Sequence, residues 1–183
     1  SGGTAYNGTV NGATVAYGLT FKSGSGRQLT GSYSFDGSND KITTTANATD
    51  LGINGSAART TSFWLNADDY SAGDYIWSMG TKQNAKSWAA ALVGGDYYLI
   101  TYNEGGGDTN NLIYTLPTAK KTGWHHYVQT YDGSTTLELF IEGASVGTQT
   151  ISESALDTGD TIDLVFGDGY DGAANWYDGK MQE

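Results

Sequence analysis

Cysteine, proline, basic residues and long apolar runs are all scarce or absent in this 183-residue sequence. No cysteine is present, which excludes disulfides, iron–sulfur clusters, thiolate zinc sites and cysteine nucleophiles. The single proline is Pro117, so the chain is neither a proline-rich linker nor a collagen-like repeat. No stretch approaches the ~20 apolar residues that a membrane helix needs, and we expect no membrane insertion.

The shortage of basic residues leaves the chain strongly acidic. It has 9 lysines and arginines against 20 aspartates and glutamates, which gives a formal net charge of −11. An acidic field repels phosphate groups, and no run of basic residues offsets it. We therefore expect no nucleic-acid partner.

Glycine, at 27 residues, and aromatic residues, at 13%, are abundant. Helical periodicity is nearly absent, and short runs alternate apolar and polar residues between clusters of glycine, asparagine and aspartate. The predicted strands are Gly31–Phe35, Lys41–Thr45, Thr60–Asn66, Asp74–Met79, Ser87–Val93, Tyr97–Tyr102, Asn111–Thr115, His125–Tyr131, Thr136–Glu142, Gly147–Ile151 and Ile162–Phe166. Strands at spacings of roughly 8–12 residues predict an all-β, two-sheet antiparallel sandwich. Without an internal repeat or a linker, residues 1–183 are expected to form one domain.

The alternation also assigns faces within the predicted strands. Leu137 and Leu139 share a face that we expect in the core. Tyr75, Trp77 and Met79 are expected to share one face of their strand. Residues 125 and 126 are adjacent histidines. A strand places adjacent side chains on opposite faces, and we expect a structural role for each of the two.

Four segments, in order, carry a resemblance to a known family. They are Gly8–Thr14 (GTVNGAT), Ser34–Asp40 before the strand from Lys41, Gly123–Val128 running into Thr130–Ser134 and Leu137–Gly143, and Asp178–Glu183. Together they resemble the laminin-G-like branch of the concanavalin A-type jelly rolls. The resemblance implies a jelly-roll sandwich, and implies that this chain is a segment of a longer one with its terminal strands clipped.

The sequence departs from that family pattern at two positions. Gln129 stands where the family prefers a small apolar residue. Gln182 replaces an aspartate that often helps to build a calcium site in related jelly rolls.

Calcium is the cofactor that the acidic turns suggest. Because Ca²⁺ takes six to eight oxygen ligands, we expect a site at Asp36, Asn39 and Asp40, where the resemblance adds weight. Further aspartate clusters lie at residues 68–74 and 157–171. Ordinary turn chemistry and a solvated acidic surface are the alternative explanation of each cluster, and the one that any single cluster favours.

A carbohydrate site is the function that the aromatic residues suggest. Sugars stack their apolar faces on aromatic rings and offer hydroxyls to polar groups. The loop at residues 168–178 supplies Asp168, Tyr170, Asp171, Asn175 and Trp176, which are the predicted carbohydrate-binding residues. The aromatic residues at 88–102 are instead expected in the core or on an outer sheet face.

Three functions stay open at this point. The first is a non-catalytic carbohydrate-binding or adhesion module, extracellular, on a cell surface or on a virus particle, with glycans as partners. The second is a structural or decoration module that packs against neighbouring surface or virion proteins. The third is a glycoside hydrolase, since Glu138 and Glu142 have the outer spacing of a glucanase strand, but Phe140 occupies the place of the middle aspartate.

Overall fold

Strands dominate the computed structural model, which describes residues 8–16, 21–22, 28–29, 31–81, 83, 85–101, 110–151, 156–159, 162–169 and 175–182. Within these residues two seven-stranded antiparallel sheets and a two-stranded ribbon form, together with a 3-10 helix at Thr118–Lys120. No helix among the described residues is long and apolar enough to cross a membrane.

The strand order within each sheet defines a jelly-roll sandwich. The first sheet runs in the order β1 (Gly8–Asn11), β6 (Lys41–Thr44), β15 (Val165–Phe166), β8 (Ala72–Gly80), β9 (Ser87–Val93), β10 (Asp96–Ile100) and β11 (Leu112–Thr115). The second runs β14 (Ala144–Thr150), β13 (Thr136–Ile141), β12 (His125–Tyr131), β7 (Arg59–Ala67), β16 (Asp178–Gln182), β5 (Ser32–Asp36) and β2 (Thr14–Ala16). The ribbon pairs β3 (Phe21–Lys22) with β4 (Gln28–Leu29).

The predicted all-β, two-sheet antiparallel sandwich is confirmed, and most predicted strands lie within a residue or two of the observed ones. The strand predicted at Ile162–Phe166 is shorter in the structure and spans only Val165–Phe166. Sequence reasoning missed five strands, because they are short or contain glycine and show no clear alternation; they are β1, β2, β3, β4 and β16.

Aromatic rings fill the space between the two sheets. Tyr127 of β12 stacks on Phe63 of the neighbouring β7, with ring centroids 6.0 Å apart. It also stacks on Tyr97 of the first sheet, with centroids 5.0 Å apart and planes only 11° from parallel. Leu137 and Leu139 join this core, as the alternation predicted, and both are fully buried.

A β-bulge in β8 overturns the predicted faces of that strand. Tyr75 pairs with Ala91 and Trp77 pairs with Ala90, so Ile76 has no partner across the ladder. One extra residue reverses the alternation. Trp77 and Met79 are therefore in the core, whereas Tyr75 lies on the outer face of the first sheet.

Gln129, the departure from the family pattern, lies fully buried in the core. The Tyr97 hydroxyl donates a hydrogen bond of 2.7 Å to its Oε1. The Gln129 Nε2 is buried without a hydrogen-bond partner among the described residues, so the bond to Tyr97 satisfies only the oxygen of this buried amide. The bond therefore links the two sheets at the centre of the aromatic packing.

Replacing Tyr97 with phenylalanine should destabilise the fold by about 1–3 kcal/mol, because Gln129 Oε1 is then left buried without its donor. Urea denaturation measures the loss. The double variant Tyr97→Phe/Gln129→Leu is the matched control, and it should recover much of the stability. A double variant weaker than Tyr97→Phe alone would contradict this reading.

Candidate carbohydrate-binding site

Residues 175–177, which we call the crossover segment, connect the first sheet to the second. The Tyr75 N–H donates to the Asn175 carbonyl at 3.1 Å, and Trp176 forms a parallel β-bridge with Tyr75. The Tyr177 carbonyl accepts a hydrogen bond from the Gly37 N–H at 3.2 Å. The main chain around Trp176 is therefore fixed on both sides before β16 begins.

The half-buried Trp176 side chain lies against an ion pair. The Lys41 Nζ lies 5.3 Å from the ring centroid and 3.3 Å from Asp168 Oδ2. An ammonium over an indole face is attracted by the ring's negative face. Lys41, Asp168 and Trp176 thus form one cluster on the outer side of the first sheet.

Asp168 is buried, unlike a side chain that contacts a sugar at the protein surface. The residue is 1% exposed, and its second carboxylate oxygen, Oδ1, accepts a bond from the Gly169 N–H at 2.8 Å. The Ser78 hydroxyl donates to its main-chain carbonyl at 3.1 Å. The carboxylate therefore holds Lys41 beneath Trp176, and its direct contact with a sugar stays a prediction.

Of the other predicted carbohydrate-binding residues, Asn175 lies beside Trp176 and is half-buried. Tyr170 and Asp171 lie outside the described residues. The structure thus brings together three of the five predicted side chains, Asp168, Asn175 and Trp176. Their roles toward a ligand stay predictions.

Sequence reasoning missed Lys41 and the alignment of side chains into one row on the outer face of the first sheet, although it allowed the aromatic residues at 88–102 an outer-face position. Tyr75 pairs with Ala91, Ala91 pairs with Tyr98, and Tyr98 pairs with Ile113 across four neighbouring strands. Because neighbouring strands lie ~4.8 Å apart, the two tyrosines stand ~10 Å apart at their Cα atoms. Ala91 is fully buried between them, whereas both tyrosines are half-exposed. Trp176, as the bridge partner of Tyr75, extends this row.

Two of the other tryptophans, Trp77 and Trp88, are buried in the core, at 2% and 0% exposure. Trp64 lies half-buried on the outer face of the second sheet, where its ring is 5.0 Å from that of His126. The aromatic residue at position 102 lies outside the described residues.

The two histidines face opposite sides of β12, as predicted. His125 contacts the Thr122 carbonyl through Nε2 at 2.9 Å and Glu142 through Nδ1 at 2.7 Å. His126 Nε2 lies 2.8 Å from the Ser62 hydroxyl on the second sheet's outer face. Each ring is thus engaged in local contacts between elements.

The predicted metal residues Asp36, Asn39 and Asp40 form a self-contained turn. Asp40 Oδ2 accepts the Asp36 N–H at 3.0 Å, and Asp36 Oδ1 accepts the Ser38 N–H at 2.9 Å. Asn39 is exposed. In the part of the chain that the structure describes, no three acidic or histidine side chains are grouped closely enough to hold a metal ion. Calcium at this turn stays a prediction.

Glu138 and Glu142 do not form the pair that a glycosidase needs. The predicted strand Thr136–Glu142 ends at Ile141, and Glu142 lies in the following turn with φ +53°, so the two glutamates do not lie on one strand as that spacing requires. Glu138 accepts a hydrogen bond from Ser145, whereas Glu142 binds Lys120 and His125. Hydrogen bonds from Lys120 and then His125 lower the pKa of Glu142. A general acid needs the opposite shift.

Asp74 is the most perturbed carboxylate in this region. It pairs across the ladder with the core residue Leu92 and is only 7% exposed. Burial, followed by the charges of Asp69 and Asp178, raises its pKa to about 6. The pKa of Asp178 is also raised, first by burial and then by the neighbouring aspartates.

This shift predicts that Asp74→Asn stabilises the protein at neutral pH. A carboxyl whose pKa in the folded protein lies above its ordinary value destabilises the fold once it is ionised. This cost therefore grows as the pH rises from 3.8 to about 6. The variant's advantage over the wild type should rise across this window by up to about 3 kcal/mol, less where water screens the charge. Urea denaturation at a series of pH values measures it, and an advantage that shrinks with rising pH would contradict the assignment.

Comparison with known proteins places this chain in a family. The family model for laminin-G-type domains, described as the concanavalin A-like lectin/glucanases superfamily, matches residues 36–183. The chain therefore belongs to the concanavalin A-like lectin/glucanase superfamily. A search of the curated proteins finds no match to this chain.

Several solved structures share the fold. The binding domain of Paraclostridial Mosquitocidal Protein 1 superposes with a TM-score of 0.69 at 15% identity, covering 96% of this chain and 42% of that one. The binding domain of botulinum neurotoxin serotype D gives 0.60 at 19% identity, covering 96% and 42%. The binding domain of botulinum neurotoxin DC in complex with SialylT gives 0.57 at 13% identity, covering 92% and 41%. This chain thus spans about two fifths of these binding domains, and the likeness shows the fold.

Proposed function

We propose that this chain is a non-catalytic carbohydrate-binding or adhesion module that acts outside the cell, on a cell surface or on a virus particle. The observation that carries the proposal is the row of half-exposed aromatic side chains on the outer face of the first sheet. Trp176, Tyr75 and Tyr98 lie in this row. We call it the aromatic row.

The aromatic row suits a sugar for physical reasons. The rings present apolar area on a rigid sheet, which costs little conformational entropy when a ligand binds. Lys41 and Asn175 lie at one end and offer hydrogen bonds to hydroxyls. The predicted residues Tyr170 and Asp171 belong to the same stretch of chain and would add a ring and a carboxylate.

The comparisons support a binding module. Each of the three solved structures compared above is a binding domain, and one was solved in complex with SialylT. The separated roles of Glu138 and Glu142 support a module without glycosidase activity.

Replacing Trp176 with alanine should weaken glycan binding by about tenfold, since a lost aromatic stacking contact is worth ~1–1.5 kcal/mol. Titration calorimetry with a glycan selected from an array measures the affinity. Trp64→Ala is the matched control, because it removes a half-buried tryptophan from the opposite sheet. Thermal unfolding shows that both variants remain folded.

The control decides which face binds. Normal affinity in Trp176→Ala with a loss in Trp64→Ala would move the site to the second sheet. An array on which no glycan is bound would contradict the carbohydrate proposal and favour the structural alternative.

A further inference from the structure

The aromatic row runs across the strands, and its ladder positions continue as far as β11. Five positions pair in turn on the crossover segment, β8, β9, β10 and β11, and they are Trp176, Tyr75, Ala91, Tyr98 and Ile113. Because neighbouring strands lie ~4.8 Å apart, the first and last of these Cα atoms are roughly 19 Å apart. This length exceeds what one sugar ring can cover.

The side chains along this line alternate in size. Ala91 is fully buried between the half-exposed Tyr75 and Tyr98, so no bulky side chain stands between the two rings. Ile113 is 38% exposed and adds apolar surface beyond Tyr98. The two tyrosines therefore stand two strand spacings apart on a line that continues past them.

A linear sugar chain has a matching repeat. A pyranose ring that is linked at its opposite ends spans roughly one strand spacing, so about four linked sugars cover the row. Where successive rings are flipped, as in β-1,4-linked chains, every second sugar turns the same face downward. Tyr75 and Tyr98 then stack on alternate sugars.

The strands beneath the row carry no basic residue. The sequences of β8, β9, β10 and β11 contain no lysine, arginine or histidine. Lys41 is the basic side chain at Trp176, and its Nζ is already paired with the buried carboxylate of Asp168 at 3.3 Å. An acidic sugar would therefore have to compete with a buried aspartate for this ammonium.

A charge of each sign lies at the β9–β10 turn beside the row. Asp96 lies two residues before Tyr98 and faces the same side of β10. The Lys121 Nζ lies close to the neighbouring Gly95. These two charges largely offset each other, and the net charge of −11 over the chain leaves the surrounding field negative.

We propose that the aromatic row binds a neutral, linear oligosaccharide of about four sugars that lies across the strands, and that it discriminates against acidic glycans. The inference rests on the proposed carbohydrate-binding function and names its ligand class. Binding an anionic group would separate Lys41 from Asp168 and leave a buried carboxylate unpaired, which is strongly unfavourable. A neutral sugar avoids this cost, because its hydroxyls can accept from Lys41 while the ion pair stays intact.

Chain length is the first test. Titration calorimetry with neutral glucose, mannose and galactose oligomers of about two to six sugars should give an affinity that rises up to about four sugars and then levels off, because further sugars extend beyond the row. Tyr98→Ala should remove most of the gain that the longer chains bring. Tyr33→Ala, at a tyrosine that is 40% exposed on the second sheet, is the matched control and should keep this gain.

Charge is the second test. The same oligomers carboxylated at C6 should bind at least about tenfold more weakly at low salt, and the difference should narrow as added salt screens the repulsion. Asp168→Asn should narrow it too, because Lys41 loses its countercharge while the asparagine Oδ1 can still accept the Gly169 N–H. Asp157→Asn makes the same change in net charge at an exposed carboxylate paired with Lys86, and should leave the difference unchanged.

The outcomes separate this inference from the proposed function. An affinity that levels off at about four sugars, together with a preference for the neutral chains, supports the inference. Equal or tighter binding of the carboxylated chains, or an affinity that is already complete in the shortest oligomer, would overturn it and leave carbohydrate binding intact. A panel in which no oligomer binds, neutral or acidic, would overturn both.

Discussion

Between the two sheets, the rings of Phe63, Tyr127 and Tyr97 lie nearly parallel, and the other surfaces depend on this stack. Its rings come from both sheets, so it sets which face of each strand is inside. Packed sheets lie ~10 Å apart, a gap that aromatic side chains from both sides can fill. The Tyr97–Gln129 hydrogen bond adds direction to otherwise non-directional packing. Side chains that do not fit this interior are displayed on the outer faces.

The same aromatic packing between the sheets determines where the residues on the outer faces lie. The extra residue in β8 keeps Trp77 in the core and turns Tyr75 outward, beside the crossover segment. Trp176 then lies next to Tyr75, over an ion pair in which the buried Asp168 holds Lys41. A rigid sheet with a fixed connection above it is the kind of scaffold on which binding loops are usually carried. Family membership alone gives no function, and it is this surface that supports the proposed carbohydrate binding.

Much of the fold could be predicted from the sequence, because alternation decides local structure directly. Leu137 and Leu139 show this, since a strand with one buried face needs no long-range information. The outward turn of Tyr75 could not be predicted, because an unpaired ladder residue leaves no mark in the alternation. The contact between Lys41 and Asp168 joins residues 127 positions apart, so only the folded chain brings them together. Trp176 could be proposed as a candidate from the sequence because an aromatic residue among glycine and asparagine is a local signal.

The most direct test of the central claim is an NMR titration that follows the tryptophan indole N–H signals as a glycan selected from an array is added. Trp176 and Trp64 are the half-buried tryptophans on the outer faces of opposite sheets. If the aromatic row binds the sugar, the Trp176 signal moves with the ligand and the Trp64 signal stays in place. Movement of Trp64 alone, or of neither signal while the glycan binds, would contradict the account.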